Sequence, residues 1–212
     1  MALISSFLRV FFQHLYTTFA WAYDFVAATT SIGQWGAWQR VALDRLPDEG
    51  HVLELGHGPG HLLKLRALQG QIDIGVDSSS QMIRIAARRL RRAGWRAKLV
   101  HAQAEALPFA SNSFQAVYAT FPSEYIVAPR SLASLHRVLD PVGSIIIIPM
   151  AQITGTSLMD RLATWLYRVT GQTREFESGW DEFLHRAGFD ATLEQIRLPR
   201  SLVYRLIAKK RG

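Results

Sequence analysis

Cysteine is absent from the 212 residues, so disulfides, thiolate metal sites and a cysteine nucleophile are all excluded. Histidine is sparse and scattered, and no His-Glu-x-x-His pattern occurs, so no metal site is expected. Repeats, low-complexity tracts and linkers are lacking too. The amino-terminal stretch falls short of the ~20 apolar residues of a membrane span, because Ser5, Ser6, Arg9, Gln13, His14, Thr17 and Thr18 interrupt it. It also lacks the positive n-region and small-residue cleavage site of a secretory signal. These absences suit a cytoplasmic setting.

What is present is a folded composition, 49% hydrophobic and 19% charged, long enough for one substantial core. One domain over 1–212 is expected: an aromatic helical leader or cap (1–45), a core (46–150), a helical cap insert (151–190) and a closing hairpin (191–212). In the leader, Ile4, Leu8, Phe11, Leu15 and Phe19 form a helical stripe opposite Ser6, Arg9, Gln13 and Thr17. Such a helix is expected to cap the domain's own pocket, with a membrane interface as the alternative. The net charge is +7 and the pI about 10.1. Much of the excess sits between Arg84 and Lys98, with Arg88, Arg89, Arg91, Arg92 and Arg96 between them. That stretch is either a solvated helix face or a site for a polyanion, nucleic acid or anionic lipid.

Apolar periodicity predicts helices over 36–45, 61–68, 79–94, 131–139 and 179–187, with another through Leu158, Leu162, Trp165 and Val169. Strands are predicted over 51–56, 71–76, 97–101, 114–120 and 144–149, the last with four consecutive isoleucines suited to a central strand. Such alternation argues for a parallel sheet. Two further runs, 191–198 and 202–208, read as an antiparallel hairpin at the sheet edge.

Between the first strand and the next helix lies Glu54-Leu55-Gly56-His57-Gly58-Pro59-Gly60. Glycines there let the backbone turn sharply and approach a ligand at a helix amino end. The third glycine comes one residue sooner than in dinucleotide binders, and no Gly-Lys-Ser/Thr follows. Ile74-Gly75-Val76-Asp77 ends the second strand on an acid placed to accept hydrogen bonds from ribose hydroxyls. Further on come Gln103-Ala104-Glu105-Ala106-Leu107-Pro108-Phe109 and Asn112-Ser113-Phe114-Gln115. Together these stretches resemble the class I S-adenosylmethionine (SAM)-dependent methyltransferases, in particular the ubiquinone and menaquinone C-methyltransferase-like group. The similarity covers about Tyr23 to Ile148.

The resemblance implies a Rossmann-like α/β fold: a mostly parallel seven-stranded sheet with an antiparallel carboxyl-terminal hairpin and helices on both faces. It implies SAM as cofactor and S-adenosylhomocysteine as product. Carried over, Gly56, His57 and Gly58 line the methionine and ribose, and Asp77 holds the ribose hydroxyls. Ser78 and Met82 flank the adenine, Gln103 and Ala104 read its edge, and Thr120 and Phe121 close the pocket. Glu54 organises the loop or reaches the methionine amine through water, and Tyr23 closes over the cofactor. Gln103 and Gln115 stand where the family usually carries Asp. An amide oxygen at 103 still accepts from an adenine amine, and position 115 is expected to be structural.

Glu124 and Tyr125, after the fourth strand, are the catalytic candidates, as a base for a weakly acidic acceptor. The aromatic leader and the segment around Trp165 suggest a hydrophobic small-molecule or lipid acceptor. An anionic membrane surface is a further partner, with the protein peripheral at the inner face. Two alternatives stay open: a nucleic-acid methyltransferase, motivated by the arginine stretch, and a non-catalytic SAM-binding protein, motivated by Gln103.

Overall fold

The computed structural model describes residues 31–96, 98–158, 160 and 180–211. In chain order they form α1 (Trp35–Arg40), a 3-10 turn (Leu43–Arg45), β1 (Val52–Leu55), α2 (His61–Leu68), β2 (Ile74–Asp77), α3 (Ser80–Arg92) and β3 (Lys98–His101). A 3-10 turn (Ala104–Ala106), β4 (Phe114–Thr120), another 3-10 turn (Glu124–Val127), α4 (Pro129–Val138) and β5 (Leu139–Ile153) follow. Then come α5 (Trp180–Arg186), β6 (Phe189–Leu198) and β7 (Ser201–Lys210).

The strands make one sheet in the order β3-β2-β1-β4-β5-β7-β6. β1 to β5 pair in parallel, while β7 is antiparallel to both β5 and β6. This is the mostly parallel Rossmann-like sheet expected from the sequence, with the hairpin at its edge. The strand order reverses between β1 and β4, which opens a crevice at their carboxyl ends, where ligands bind in such sheets.

Two-residue alternation explains why both faces are covered. Val117 and Ala119 of β4 face a core built with Leu132, Leu135 and Val138 of α4 and Leu184 of α5. Ala116 and Tyr118 face another, with Trp38 of α1 and Leu62 of α2. The isoleucines of β5 divide likewise, Ile145 and Ile147 into the first core, Ile146 and Ile148 into the second. Each is fully buried, a gain of roughly 2 kcal/mol per side chain. A charge at Ile146 or Ile147 would therefore have no route to water.

Three elements differ from the sequence expectation by three residues or more at a boundary. The predicted helix over 36–45 breaks into α1 and a 3-10 turn. β2 begins at Ile74 rather than 71, because Gln71 N–H closes the turn on Arg66 O and Asp73 is held in a buried ion pair with Arg66 (Nε–Oδ2 2.9 Å). β5 begins at Leu139 rather than 144, so Asp140 and Pro141, a pair that by local preference stops a helix, lie within the strand. A register shift between Phe114 and Ala116 accommodates them, and proline is tolerated at such irregularities. There Gln115 accepts from His51 N–H and donates to Asp140 Oδ2, a structural bridge.

The closing hairpin is tied to α1: Trp38 Nε1–H donates to Ser201 Oγ (2.8 Å), and Arg205 donates to Val41 O (2.7 Å). Among the described residues no helix is long and apolar enough to cross a membrane. The leader stripe and the helix through Leu162, Trp165 and Val169 lie outside the described residues.

Candidate active site

After β1 the chain turns through Gly56 (φ +69°), Gly58 (+53°) and Gly60 (+77°) into α2. At Gly56 a Cβ would stand 2.7 Å from the Tyr125 hydroxyl, and at Gly60 2.7 Å from Ala86 Cβ. Both positions therefore demand glycine twice, for the sign of φ and for the close approach. Gly56 N–H donates to Val76 O (2.8 Å), which moors the loop to β2.

Asp77 joins the parts of the site. Its Oδ2 accepts from Gly58 N–H and its Oδ1 from Ser79 N–H, each at 2.8 Å. Ser79 in turn caps α3, its Oγ accepting from Met82 N–H at 3.3 Å. An ionised carboxylate offers about four lone-pair sites, so acceptor capacity remains for a ligand's hydroxyls.

Above these groups lies a cavity of about 810 Å³. Of the sequence-predicted residues, the structure brings Gly56, Gly58, Asp77, Ser78, Met82, Gln103, Ala104, Thr120, Phe121 and Tyr125 into its lining. It does not bring Glu54, His57 or Glu124 there. Tyr23 lies outside the described residues. Sequence reasoning missed Ser79, Gln81, Arg84 and His101, which line the same cavity. Ser79 carried a signal, as a serine just ahead of a helical run; the others carried none, because only the folded path of α3 and β3 brings them beside the cavity.

Glu54 lies beneath the sheet end, 2% exposed. Burial pushes its carboxyl well above the usual carboxylate range, against a hydrogen bond from Tyr118 that pulls it down. The Tyr118 hydroxyl is 3.0 Å from Glu54 Oε2 and 3.1 Å from Asp73 Oδ2, yet carries one hydrogen. The hydroxyl donates to one of the two carboxyls at a time, so the three groups form a single buried polar cluster. Leu63 N–H of α2 also bonds to Glu54. Glu54 thus serves the first turn of α2, where backbone donors lack helical partners.

His57 turns its ring down toward Gly75 and Leu63, with Nδ1 2.7 Å from Gly58 O and Nε2 buried with no partner among the described residues. Burial lowers its pKa below the usual imidazole value, with the Asp77 charge opposing. A neutral, inward ring is a prop for the loop.

The opposite wall is aromatic. Phe121 has φ +51° and is pinned by its N–H to Ile148 O (2.7 Å) and by a stack on Trp35, centroids 4.3 Å apart. Next to it, Gln39 Nε2–H donates to Thr120 Oγ1 (3.2 Å). Glu124 is exposed, whereas Tyr125 sends its hydroxyl over Gly56.

A SAM-sized ligand fits this donor set: an acid with spare acceptor capacity, a glycine loop open to close approach, and Met82 and Ala104 as apolar flanks. Residues 52–143 match the model of a methyltransferase domain. A demethylmenaquinone methyltransferase from Symbiobacterium thermophilum is 32% identical over 142 residues, 63% of this chain and 57% of that protein. A ubiquinone/menaquinone biosynthesis C-methyltransferase from Geotalea uraniireducens is 29% identical over 144 residues, 64% of this chain and 61% of that protein. The chain thus spans less than two thirds of the curated relatives it matches. A geranyl diphosphate C-methyltransferase from Streptomyces coelicolor, solved with S-adenosylhomocysteine, superposes with TM-score 0.61 at 14% identity, covering 84% of this chain and 79% of that one.

Residues 52–143 are thus similar to a methyltransferase domain, on a fold shared with solved class I methyltransferases. Within that class, the chain is similar to the ubiquinone and menaquinone C-methyltransferases.

Proposed function

We propose that this chain transfers a methyl group from SAM to a hydrophobic, lipid-like small molecule of the quinone-precursor kind. The observation that carries this reading is the Asp77 carboxylate at the junction of glycine loop and α3, facing a cavity whose far wall is Phe121, Pro122 and Tyr125. The names of the relatives, which act on demethylmenaquinone or serve quinone biosynthesis, support the acceptor class.

When bound, SAM supplies an electrophilic methyl on a sulfonium. The chain's task is then to orient and to exclude water. Asp77 holds the ribose hydroxyls, Gly56 and Gly58 admit the methionine, Ser78 and Met82 flank the adenine, and Gln103 with Ala104 meets its edge. Glu54 and His57 act from below, by holding the loop and the start of α2. Thr120 and Phe121 close the site beside the acceptor. Tyr125, rather than Glu124, is the polar group facing it, and its hydroxyl is placed to orient a phenolic or quinol acceptor. An acceptor of this class dissolves in a bilayer, so the protein works at an anionic membrane surface on its cytoplasmic side.

Calorimetric titration with S-adenosylhomocysteine, followed by methyl transfer to short-chain demethylmenaquinol, tests the reading. Micromolar binding and product formation support it; a folded protein that binds no S-adenosylhomocysteine overturns it.

A further inference from the structure

The exposed face of α3 carries Arg84, Arg88, Arg91 and Arg92 in one stripe, opposite the buried Met82, Ala86 and Leu90. Beyond the helix, the exposed Arg96 and Lys98 extend it. Residues 78–98 contain no Asp or Glu. Among the described residues no acid pairs with Arg88, Arg91, Arg92, Arg96 or Lys98. Compensation of the helix dipole accounts only for cations in the last turn, Arg89, Arg91 and Arg92. Arg84, near the positive end, works against the dipole, and Arg96 and Lys98 lie past it.

Two exposed apolar side chains, Leu68 and Ile72, flank the turn between α2 and β2, and the second of them adjoins these cations. Leu68 is 60% and Ile72 51% exposed, and Ile72 shares a shallow cleft with Trp95, Arg96 and Lys98. The neighbouring strand β3 is the edge of the sheet, so this face forms one side of the molecule. We infer that it docks on an anionic lipid bilayer, the cations on headgroups and Leu68, Ile72 and Trp95 at the acyl boundary. A nucleic-acid surface would gain nothing from exposed Leu68 and Ile72, whereas a membrane interface gains from both. Arg84 also lines the cavity, so docking here sets the mouth of the site beside the bilayer. The inference deepens the proposed function by naming the face that meets the membrane, and it rests on that reading for its purpose.

The test is sedimentation of the full chain with phosphatidylcholine vesicles, with and without phosphatidylglycerol, over a salt series. An R88Q/R91Q/R92Q variant leaves the cavity untouched, and an L68S/I72S variant removes the apolar part. Wild type should prefer anionic vesicles by about tenfold or more, with salt weakening the preference. The arginine variant should lose that preference, and the L68S/I72S variant should dissociate at lower salt. Equal binding of the arginine variant and wild type overturns the proposal, as does binding to duplex RNA without binding to anionic vesicles. Thermal melting and S-adenosylhomocysteine titration of every variant confirm folding. Vesicle binding by a protein that binds no S-adenosylhomocysteine would sink the methyl-transfer reading and leave this one standing.

Discussion

Asp77 accepts the Gly58 N–H at 2.8 Å across the gap between β2 and the glycine loop, while its other oxygen holds the start of α3. One carboxylate therefore shapes the loop and presents its remaining lone pairs to the cavity. Asp77→Ala should weaken S-adenosylhomocysteine binding by tenfold or more, about 1.4 kcal/mol. Asp77→Asn should fall between, since an amide accepts through only one of its two polar atoms. Calorimetry on folded variants checks both; wild-type affinity in Asp77→Ala would remove Asp77 from the site.

Gly56 and Tyr125 should behave as a coupled pair. Gly56→Ala puts a methyl 2.7 Å from the Tyr125 hydroxyl and also strains φ. Tyr125→Phe relieves the first penalty and leaves the second, so it should restore part of the cofactor affinity lost in Gly56→Ala. A double-mutant cycle on S-adenosylhomocysteine binding should show an interaction of about 0.5 kcal/mol or more.

The pH dependence of stability should carry the mark of Glu54. Its folded pKa is raised by burial, while in the unfolded chain it ionises near the usual carboxylate value. Between the two values the folded state binds the extra proton, so stability from this group falls as pH rises through that window. Glu54→Gln stays neutral and should gain on wild type in melting temperature as pH climbs above the ordinary carboxylate range. A difference that does not change with pH would show that Glu54 is ionised in the fold.

Phe121 should report its backbone directly. At φ +51° a side chain costs about 1 kcal/mol that glycine does not incur. Phe121→Gly should therefore be more stable than Phe121→Ala by about that amount, although both lose the Trp35 stack. Chemical denaturation of the two variants gives the comparison, and the reverse order would mean the turn relaxes once the ring is gone.

Removal of Asp73 should be the most damaging of these changes. Its partner Arg66 is buried, and an uncompensated buried cation costs about 3 kcal/mol.

Much of this was legible in the chain. Nearly continuous apolar runs at 114–120 and 144–149 announced central strands, because a strand buried on both faces needs apolar residues at every position. Gly56, Gly58 and Asp77 were legible because a tight turn and an acid at a strand end are local features. The boundary at Leu139 was not: Asp140-Pro141 reads as a helix stop, and only pairing with β4 draws it into β5.

What the sequence by itself determined is the alternation of strands and helices, the glycine loop and the arginine excess, all set by local backbone preference and residue chemistry. What only the tertiary structure decided is where those residues face. Glu54 and His57 sit next to cavity residues in sequence yet point beneath the sheet end, since strand alternation and the left-handed glycines turn them away. Tyr118 and Asp73 stand 45 residues apart in sequence and meet only because the sheet brings β4 close to the start of β2. Likewise Arg84 and His101 reach the cavity only through the packing of α3 beside β3. Contacts between strands depend on long-range pairing, which local residue preferences do not encode.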